Sequence, residues 1–470
     1  MENNDSQLND DTTASQESSP AHLKGQMVST GIRDPFDQAS LGASHNKRRA
    51  FLYVLLAVLV VVACASIAAA LMRKPQAPSP QPEPPAKEEV VVSDTPQPVE
   101  VTPEEPPAPQ EPVHAQLMMI GDILLHKGVI ESSRTDDGTL NYDHLFTHIS
   151  DDVAQADVAV VNQETILGGS AWPYSGYPQF NGPQEVGDAE VNVGFDVILK
   201  ATNHTFDMGY PGVESELDYW ANEHPEMKVI GAAYPYGDGI APAGGTSPAG
   251  AYLFEKDGLR VALLNYTDVL NGNVDPENDF NVLAIMDEER INTDVAAARE
   301  AGADLVVVFA HWGEEYETWP CDSERYWAGV FKDAGVDVVV GGHPHVIQPV
   351  EVLDGGEKPM LVCWSVGNFV STQNDARNMV GGMVKLDMVK DANGARIERY
   401  EFIPTITQKE PWTTNMSAYK LSDYNDELAA QSVVSSWAGE GGTLGWYLDF
   451  CSNVLGDAFD WDTLSVHGSL

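Results

Sequence analysis

The chain is poor in basic residues and in cysteine. Its 470 residues hold 26 Lys and Arg against 71 Asp and Glu, a net charge of −45. Binding to a phosphate backbone rests on clustered Lys and Arg, so nucleic acid is excluded as a partner. Four cysteines exclude a disulfide-dense scaffold. Cys64 lies in an apolar run, and the three others, Cys321, Cys363 and Cys451, cannot all pair within the chain. Cys363 falls in a strand-like run and reads as a buried thiol, while a bridge between Cys321 and Cys451 stays open. What the chain has is 43% apolar residues with 10 Trp, 16 Tyr and 14 Phe, which excludes wholesale disorder. At about 150 residues per domain, the length exceeds one simple domain.

Long apolar runs are scarce too. Phe51–Met72 is a charge-free stretch of 22 residues, roughly 33 Å as a helix and enough to cross a bilayer core. Ala68-Ala69-Ala70 imitates a signal-peptidase site, but a signal peptide carries a shorter apolar region near the chain start. The segment 47–74 therefore reads as an uncleaved transmembrane anchor with basic flanks. Lys47, Arg48 and Arg49 outnumber Arg73 and Lys74, and an acidic stretch comes next, which places the N-terminus in the cytoplasm and the main domain outside. Residues 1–46, polar and without apolar period, are expected to be disordered. Residues 75–113 hold 13 of the 30 prolines and read as an extended Pro/Glu-rich linker of about 120 Å at most. Net charge is zero over 1–74 and −7 over 75–113, which leaves −38 of the −45 on residues 114–470. That acidity aids solubility and disfavours anionic partners.

From 114 to 408, short Val-rich runs alternate with helical stretches. The strand-like runs are Leu117–Ile120, Val158–Val161, Val197–Leu199, Leu305–Phe309, Val336–Val340 and Met360–Val362; Asp294–Ala301 and Ser323–Ala334 read as helices. The order predicts an α/β domain. Ala251–Tyr266 reads as a hairpin around Asp257-Gly258, so the sheets are expected to be mixed. The residues just past the end of each run carry the chemistry: Gly121-Asp122, then Asn162-Gln163-Glu164, Asn203-His204 with Asp207, His311, and His343-Pro344-His345. Each alone has a plainer reading, a turn or a hydrogen-bonded loop histidine. Together they deliver carboxylate, amide and imidazole groups to successive strand ends, where α/β folds bind ligands. Those are ligand types for a borderline or hard divalent cation, without the cysteines of a structural zinc site. Residues 409–470, with Trp412, Trp437, Trp446, Trp461 and a helical stretch near Asp426–Trp437, are expected to pack onto the domain.

The motifs MIGDILLH (119–126), VNQET (161–165), ATNHTFDMG (201–209), AHWGEEY (310–316), GGHPHVIQPVE (341–351) and SVGNFV (365–370) together resemble the bacterial capsule-synthesis, or poly-γ-glutamate-synthesis, protein family (CapA-like), whose domain is related to the calcineurin-like metallophosphoesterases. The resemblance covers roughly Leu117 to Val370. It implies a four-layer α/β/β/α metallophosphoesterase-like sandwich, with Asp122, Glu164, Asn203, His311, His343 and His345 as metal ligands. It also implies His204 as general acid, oriented by Asp207. A phosphoesterase normally begins Asp-x-His, but Leu124 stands at the histidine position, with His126 as a differently spaced substitute. Asn162-Gln163-Glu164 replaces the usual second acidic motif. The cofactor is thus one or two divalent ions, manganese or zinc.

The implied function is that of a membrane-anchored, extracellular, metal-dependent hydrolase-like protein in capsule or poly-γ-glutamate biosynthesis or export. Its expected partners are the membrane, an anionic capsule polymer or its precursor, and membrane subunits of a capsule synthase. The alternatives are a non-catalytic scaffold of such a synthase, or a cell-surface metallophosphoesterase.

Overall fold

Alternation along each strand decides which side chains face inward, and the computed structural model follows that rule. It describes residues 111–470 apart from 134–137, 235–250, 357, 411–415 and 439–440. The expected disordered segment, the anchor and all but the last residues of the linker lie outside the described residues. Among the described residues no helix is long and apolar enough to cross a membrane.

Strands β1 (Val113–Ile123), β2 (Val158–Asn162), β3 (Val197–Leu199) and β4 (Lys228–Ile230) are parallel neighbours in the first sheet. The first strand is longer than its apolar centre suggested, starting at Val113, inside the expected linker. The second sheet holds β5 (Tyr252–Lys256), β6 (Leu259–Thr267), β7 (Leu305–His311), β8 (Val338–Gly342), β9 (Val350–Leu353) and β10 (Met360–Cys363), in the order β5-β6-β7-β8-β10-β9. The β5–β6 hairpin turns at Asp257 and Gly258, with φ of 50° and 89°, as a tight two-residue turn of right-handed strands requires. The chain then returns to the first sheet with β11 (Asn368–Val370), β12 (Val380–Asp391), β13 (Gly394–Lys409), β14 (Met416–Lys420), β15 (Phe459–Asp460) and β16 (Ser465–Gly468). Antiparallel pairing of β12 with β1, and of β9 with β10, makes both sheets mixed.

Leu117, Met119, Val158 and Val160 of the first sheet share one apolar core with Val261, Leu263, Val307 and Phe309 of the second. The alternate residues, Met118, Ile120, Ala159 and Val161, and Ala262, Leu264, Val306 and Val308, lie in a core built with helices. Those helices include α1 (Glu185–Val193), α2 (Gly209–Glu223), α3 (Glu288–Glu300) and α4 (Asp322–Ala334). Each buried Val, Leu or Phe contributes about 1.5–3 kcal/mol, and a one-residue slip would exchange the two faces. Local signals mark the helix ends: the Asp287 side chain accepts from Arg290 N at the start of α3, and Gly335, at φ 88°, closes α4 in the left-handed region.

Beyond residue 408, β14 and β16 both pair with β13, and the helix α5 (Leu444–Leu455) buries Tyr447, Cys451, Val454 and Leu455. Trp412 lies outside the described residues, and the other three tryptophans supply none of the fully buried side chains here. Trp437 and Trp461 are exposed, and Trp446 stacks on Phe450 of its own helix. The expected helical stretch is two short helices, Asp426–Gln431 and Val434–Trp437. Cys321, Cys363 and Cys451 are all free thiols, so the open bridge is not formed; Cys363 is buried in β10.

Candidate metal centre

The inner-face alternation runs straight into the polar groups. Val158, Val160 and Asn162 share one parity on β2, as do Val307, Phe309 and His311 on β7, and Val338, Val340 and Gly342 on β8. The apolar layer between the sheets therefore ends in an amide and an imidazole at the carboxyl ends of parallel strands. Gly342 is small for a reason: a Cβ there would sit 2.6 Å from Asp122 Oδ1. Two residues of the adjoining turn are strained, with His343 at φ 94° and His345 at φ 58°. Non-glycine residues held in that region cost of order 1–3 kcal/mol and gather at functional sites.

Five of the six expected ligands form two overlapping groups, Asp122–Glu164–His311 and Glu164–His343–His345, each with its ligand atoms within 4.8 Å of one another. The sixth, Asn203, places Oδ1 3.0 Å from His311 Nε2. Asp122 is held from both sides: Asn162 Nδ2 donates to Oδ1 at 2.7 Å and the His343 N–H donates to Oδ2 at 3.0 Å. His345 Nδ1 lies 3.0 Å from Asn368 Oδ1.

Glu164 is the exception to this order. It is fully buried, and neither carboxylate oxygen has a hydrogen-bond partner. Within 4 Å of it lie two imidazole nitrogens, His311 Nε2 at 3.7 Å and His345 Nε2 at 3.8 Å. His343 Nδ1 is likewise buried and unpartnered. A buried carboxylate without a partner costs several kcal/mol, and the carboxylate and imidazole donors around it are of the types that hold a divalent cation. The residues present therefore fit a divalent cation.

The electrostatics follow from that arrangement. Burial pushes the Glu164 carboxyl well above its usual range, and Asp122 adds to the effect against His345. Burial and the neighbouring histidines push His311 and His343 well below the ordinary imidazole value. His345 goes the other way: desolvation opposes its charge, but Glu164 and Asp122 outweigh it and raise the ring to about 9.

His204 diverges from Asn203. Its Nδ1 lies 2.7 Å from Asp207 Oδ2, and that same oxygen accepts from the Phe180 N–H at 2.8 Å. Phe180 packs edge-on against the His204 ring at 4.7 Å. A cleft of about 340 Å³ opens here, lined by Tyr177, Asn203, His204, Asp207, Asn271 and Glu315. An imidazole with one nitrogen tied to a carboxylate and the ring on a cleft is built to hold or hand over a proton.

His126, the differently spaced substitute for the histidine missing at Leu124, has a buried Nδ1 without a hydrogen-bond partner. It belongs to neither group, and it packs edge-on on Phe180 at 5.3 Å and lines a neighbouring cleft with Tyr177, Tyr316 and Arg377. Burial, then His345 and His204, pushes it down to about 4. Leu124 is buried apolar core. Sequence reasoning set Asn162 at a strand end and Asn368 in the SVGNFV motif without giving either a role; they hold Asp122 and His345, and the inner-face parity of Asn162 was the signal available.

The residues 116–373 match the profile of the family described as bacterial capsule synthesis protein PGA_cap. Over 260 residues the chain is 29% identical to the PGA biosynthesis protein CapA of Bacillus subtilis (strain 168), covering 55% of this chain and 63% of that protein. Over 276 residues it is 28% identical to the capsule biosynthesis protein CapA of Bacillus anthracis, covering 57% and 62%. The matched region thus spans somewhat under two thirds of either relative. Among solved structures, the calcineurin-like phosphoesterase YfkN of Bacillus subtilis superposes with a TM-score of 0.36 at 12% identity, over 63% of this chain and 91% of that one.

Proposed function

This chain belongs to the bacterial capsule synthesis protein PGA_cap family, and on that premise we propose that its strand-end site is the metal centre of a hydrolase-like protein acting on an anionic capsule polymer or its precursor. One observation carries the reading: Glu164, buried with both oxygens unpartnered, is ringed by Asp122, His311, His343 and His345. In this reading the domain is a four-layer metallophosphoesterase-like sandwich, anchored by Phe51–Met72 and facing outward on its Pro/Glu-rich linker, beside the membrane subunits of a synthase.

Asp122, Glu164, Asn203, His311, His343 and His345 would hold the cation, with Asn162 and Asn368 fixing the orientation of Asp122 and His345. When bound, a divalent cation supplies Lewis acidity toward an ester or amide oxygen and lowers the pKa of water. The chain's own contribution is a proton donor and a shaped cleft. Asp207 fixes the His204 ring so that the nitrogen not bonded to it serves the leaving group. Asn203 and Asn271 offer amide contacts to a substrate lying along the cleft. With −38 on residues 114–470, an anionic polymer is repelled where it comes close to the surface, the repulsion being screened beyond about 8 Å at physiological salt. Contact is then confined to the centre, which suits passage of a polymer rather than tight retention. The two ligand groups share Glu164, an arrangement that accommodates one ion or two.

The test is a substrate panel of γ-glutamyl polymer and simple phosphate esters, run on metal-loaded protein. Cleavage of the polymer supports the reading. Turnover of phosphate esters alone, or of nothing while capsule assembly survives His204→Ala, contradicts it.

A further inference from the structure

The loop that carries Glu164 has no strand or helix to hold it: β2 ends at Asn162, and residues 163–165 are irregular backbone. All three carbonyls of that loop are nevertheless bonded: Gln163 Nε2 donates to Thr165 O at 2.5 Å from within the loop, and the other donors are side chains of the segment after β3. Lys200 Nζ donates to Gln163 O at 2.8 Å and to Thr165 O at 3.5 Å. Thr202 Oγ1 donates to Glu164 O at 2.8 Å. The third partner of Lys200 Nζ is Glu216 Oε2 of α2, at 3.2 Å. A lysine has three donors and no acceptor, so its capacity is filled.

Lys200 is itself anchored. Its backbone N–H lies 2.8 Å from Ile230 O and 3.0 Å from Asn265 Oδ1, and its carbonyl accepts from Thr205 Oγ1. The side chains of Lys200 and Glu216 are 2% and 3% exposed. Replacing a buried ion pair by apolar side chains is often neutral or stabilising by 1–4 kcal/mol, so overall stability is a weak reason to keep this one. Its geometry supplies another: the cation bridges the carbonyls on either side of a carboxylate whose own oxygens have no partner.

Resting on the reading that this site holds a divalent cation, we propose that Lys200 is a positioning residue for the metal centre, clamping the Gln163–Thr165 carbonyls so that Glu164 points at the ion, with Glu216 as its fixed counter-charge. Lys200 touches neither ion nor substrate; it acts through the backbone of Glu164. The partners of first ligands typically change metal affinity 10–100-fold when lost.

The experiment is Mn²⁺ titration of the full chain by electron paramagnetic resonance, reading both the free-ion signal and the spectrum of the bound ion. Lys200→Met keeps the aliphatic length and removes the donors. It should weaken Mn²⁺ about 10–100-fold and alter the bound-ion spectrum. Glu216→Gln removes the charge of the third Lys200 partner without changing volume and loosens the hold on the ammonium; a smaller loss in the same direction is expected. If Lys200→Met does not fold, Glu216→Gln decides. Parental affinity and spectrum in the folded variants, even with a shifted melting temperature, would reduce the pair to a structural tie and overturn the proposal. A parent that binds no Mn²⁺ overturns the metal reading itself, and this inference falls with it.

Discussion

Glu164 carries a burial cost that a bound cation would offset, and Glu164→Gln should expose it. The substitution keeps the shape of the side chain and removes the charge, leaving Asp122, His311, His343 and His345 around a neutral amide. An unsatisfied buried polar group costs about 1–3 kcal/mol and a charged one more, so the metal-free variant should gain about 1–3 kcal/mol over the parent. In domains of 150–250 residues each kcal/mol moves Tm by about 2–4 °C; this domain is larger, so the gain is roughly 2–8 °C. Metal inverts the order. At a hundredfold excess over Kd a bound ion stabilises the parent by about 2.7 kcal/mol, while the variant, lacking the ligand shared by both groups, gains little. The assay is a pair of thermal melts of each protein, one in chelator and one in Mn²⁺. The variant should melt higher in chelator and the parent higher in Mn²⁺. A variant that melts lower in chelator, or that shows the parent's full Mn²⁺ shift, would refute the reasoning.

His204→Ala should retain metal and Tm but lose about 10²–10⁴ in rate, the usual cost of a general acid, whereas His343→Ala should lose metal as well; elemental analysis beside the rate assay separates them, and an active His204→Ala ends the assignment. Burial, then Glu216, pushes the Glu190 carboxyl well above its usual range, and both its oxygens lack partners. A raised carboxyl stabilises the fold fully below its unfolded value, about 4.3, and that contribution is lost as pH rises through the folded value. The Tm of Glu190→Gln minus that of the parent should therefore grow from pH 4 to pH 8 in chelator, and a constant difference would contradict the shift. Protease added to intact protoplasts should digest residues 114–470 if Phe51–Met72 is an uncleaved, outward-facing anchor; full protection, or a soluble form starting after residue 72, would rule that out.

The site was legible because strand chemistry and strand ends coincide in the sequence. Val158–Val161 and Leu305–Phe309 are apolar enough to announce strands, and Glu164 and His311 come so soon after them that they had to lie at a sheet edge. The β5–β6 hairpin was equally plain, since Asp257-Gly258 is turn chemistry between two apolar runs. Less visible was anything set by three-dimensional pairing. β1 extends back to Val113 because β12 supplies a partner for each of its residues from Val113 to Ile120, which no local propensity announces. The long β12–β13 pair was missed for the same reason, its residues mixed in character, with Gly381, Gly382, Lys385 and Asp387 interrupting the apolar ones of β12. Trp437 and Trp461 show the opposite error: aromatic content suggested a core, yet burial in the last segment falls to Tyr447, Cys451 and Val454. Lys200 carried no sequence signal, because a lysine after a strand is ordinarily solvated and only the packing of α2 makes it buried.

The central claim is that Asp122, Glu164, His311, His343 and His345 hold a divalent cation. Metal content of the full chain, purified without chelator, tests it most directly, alongside Asp122→Ala and His311→Ala. The account predicts near-stoichiometric manganese or zinc in the parent and loss of it in both variants. A parent that is metal-free and cannot be reconstituted, or variants that keep their metal, would contradict it.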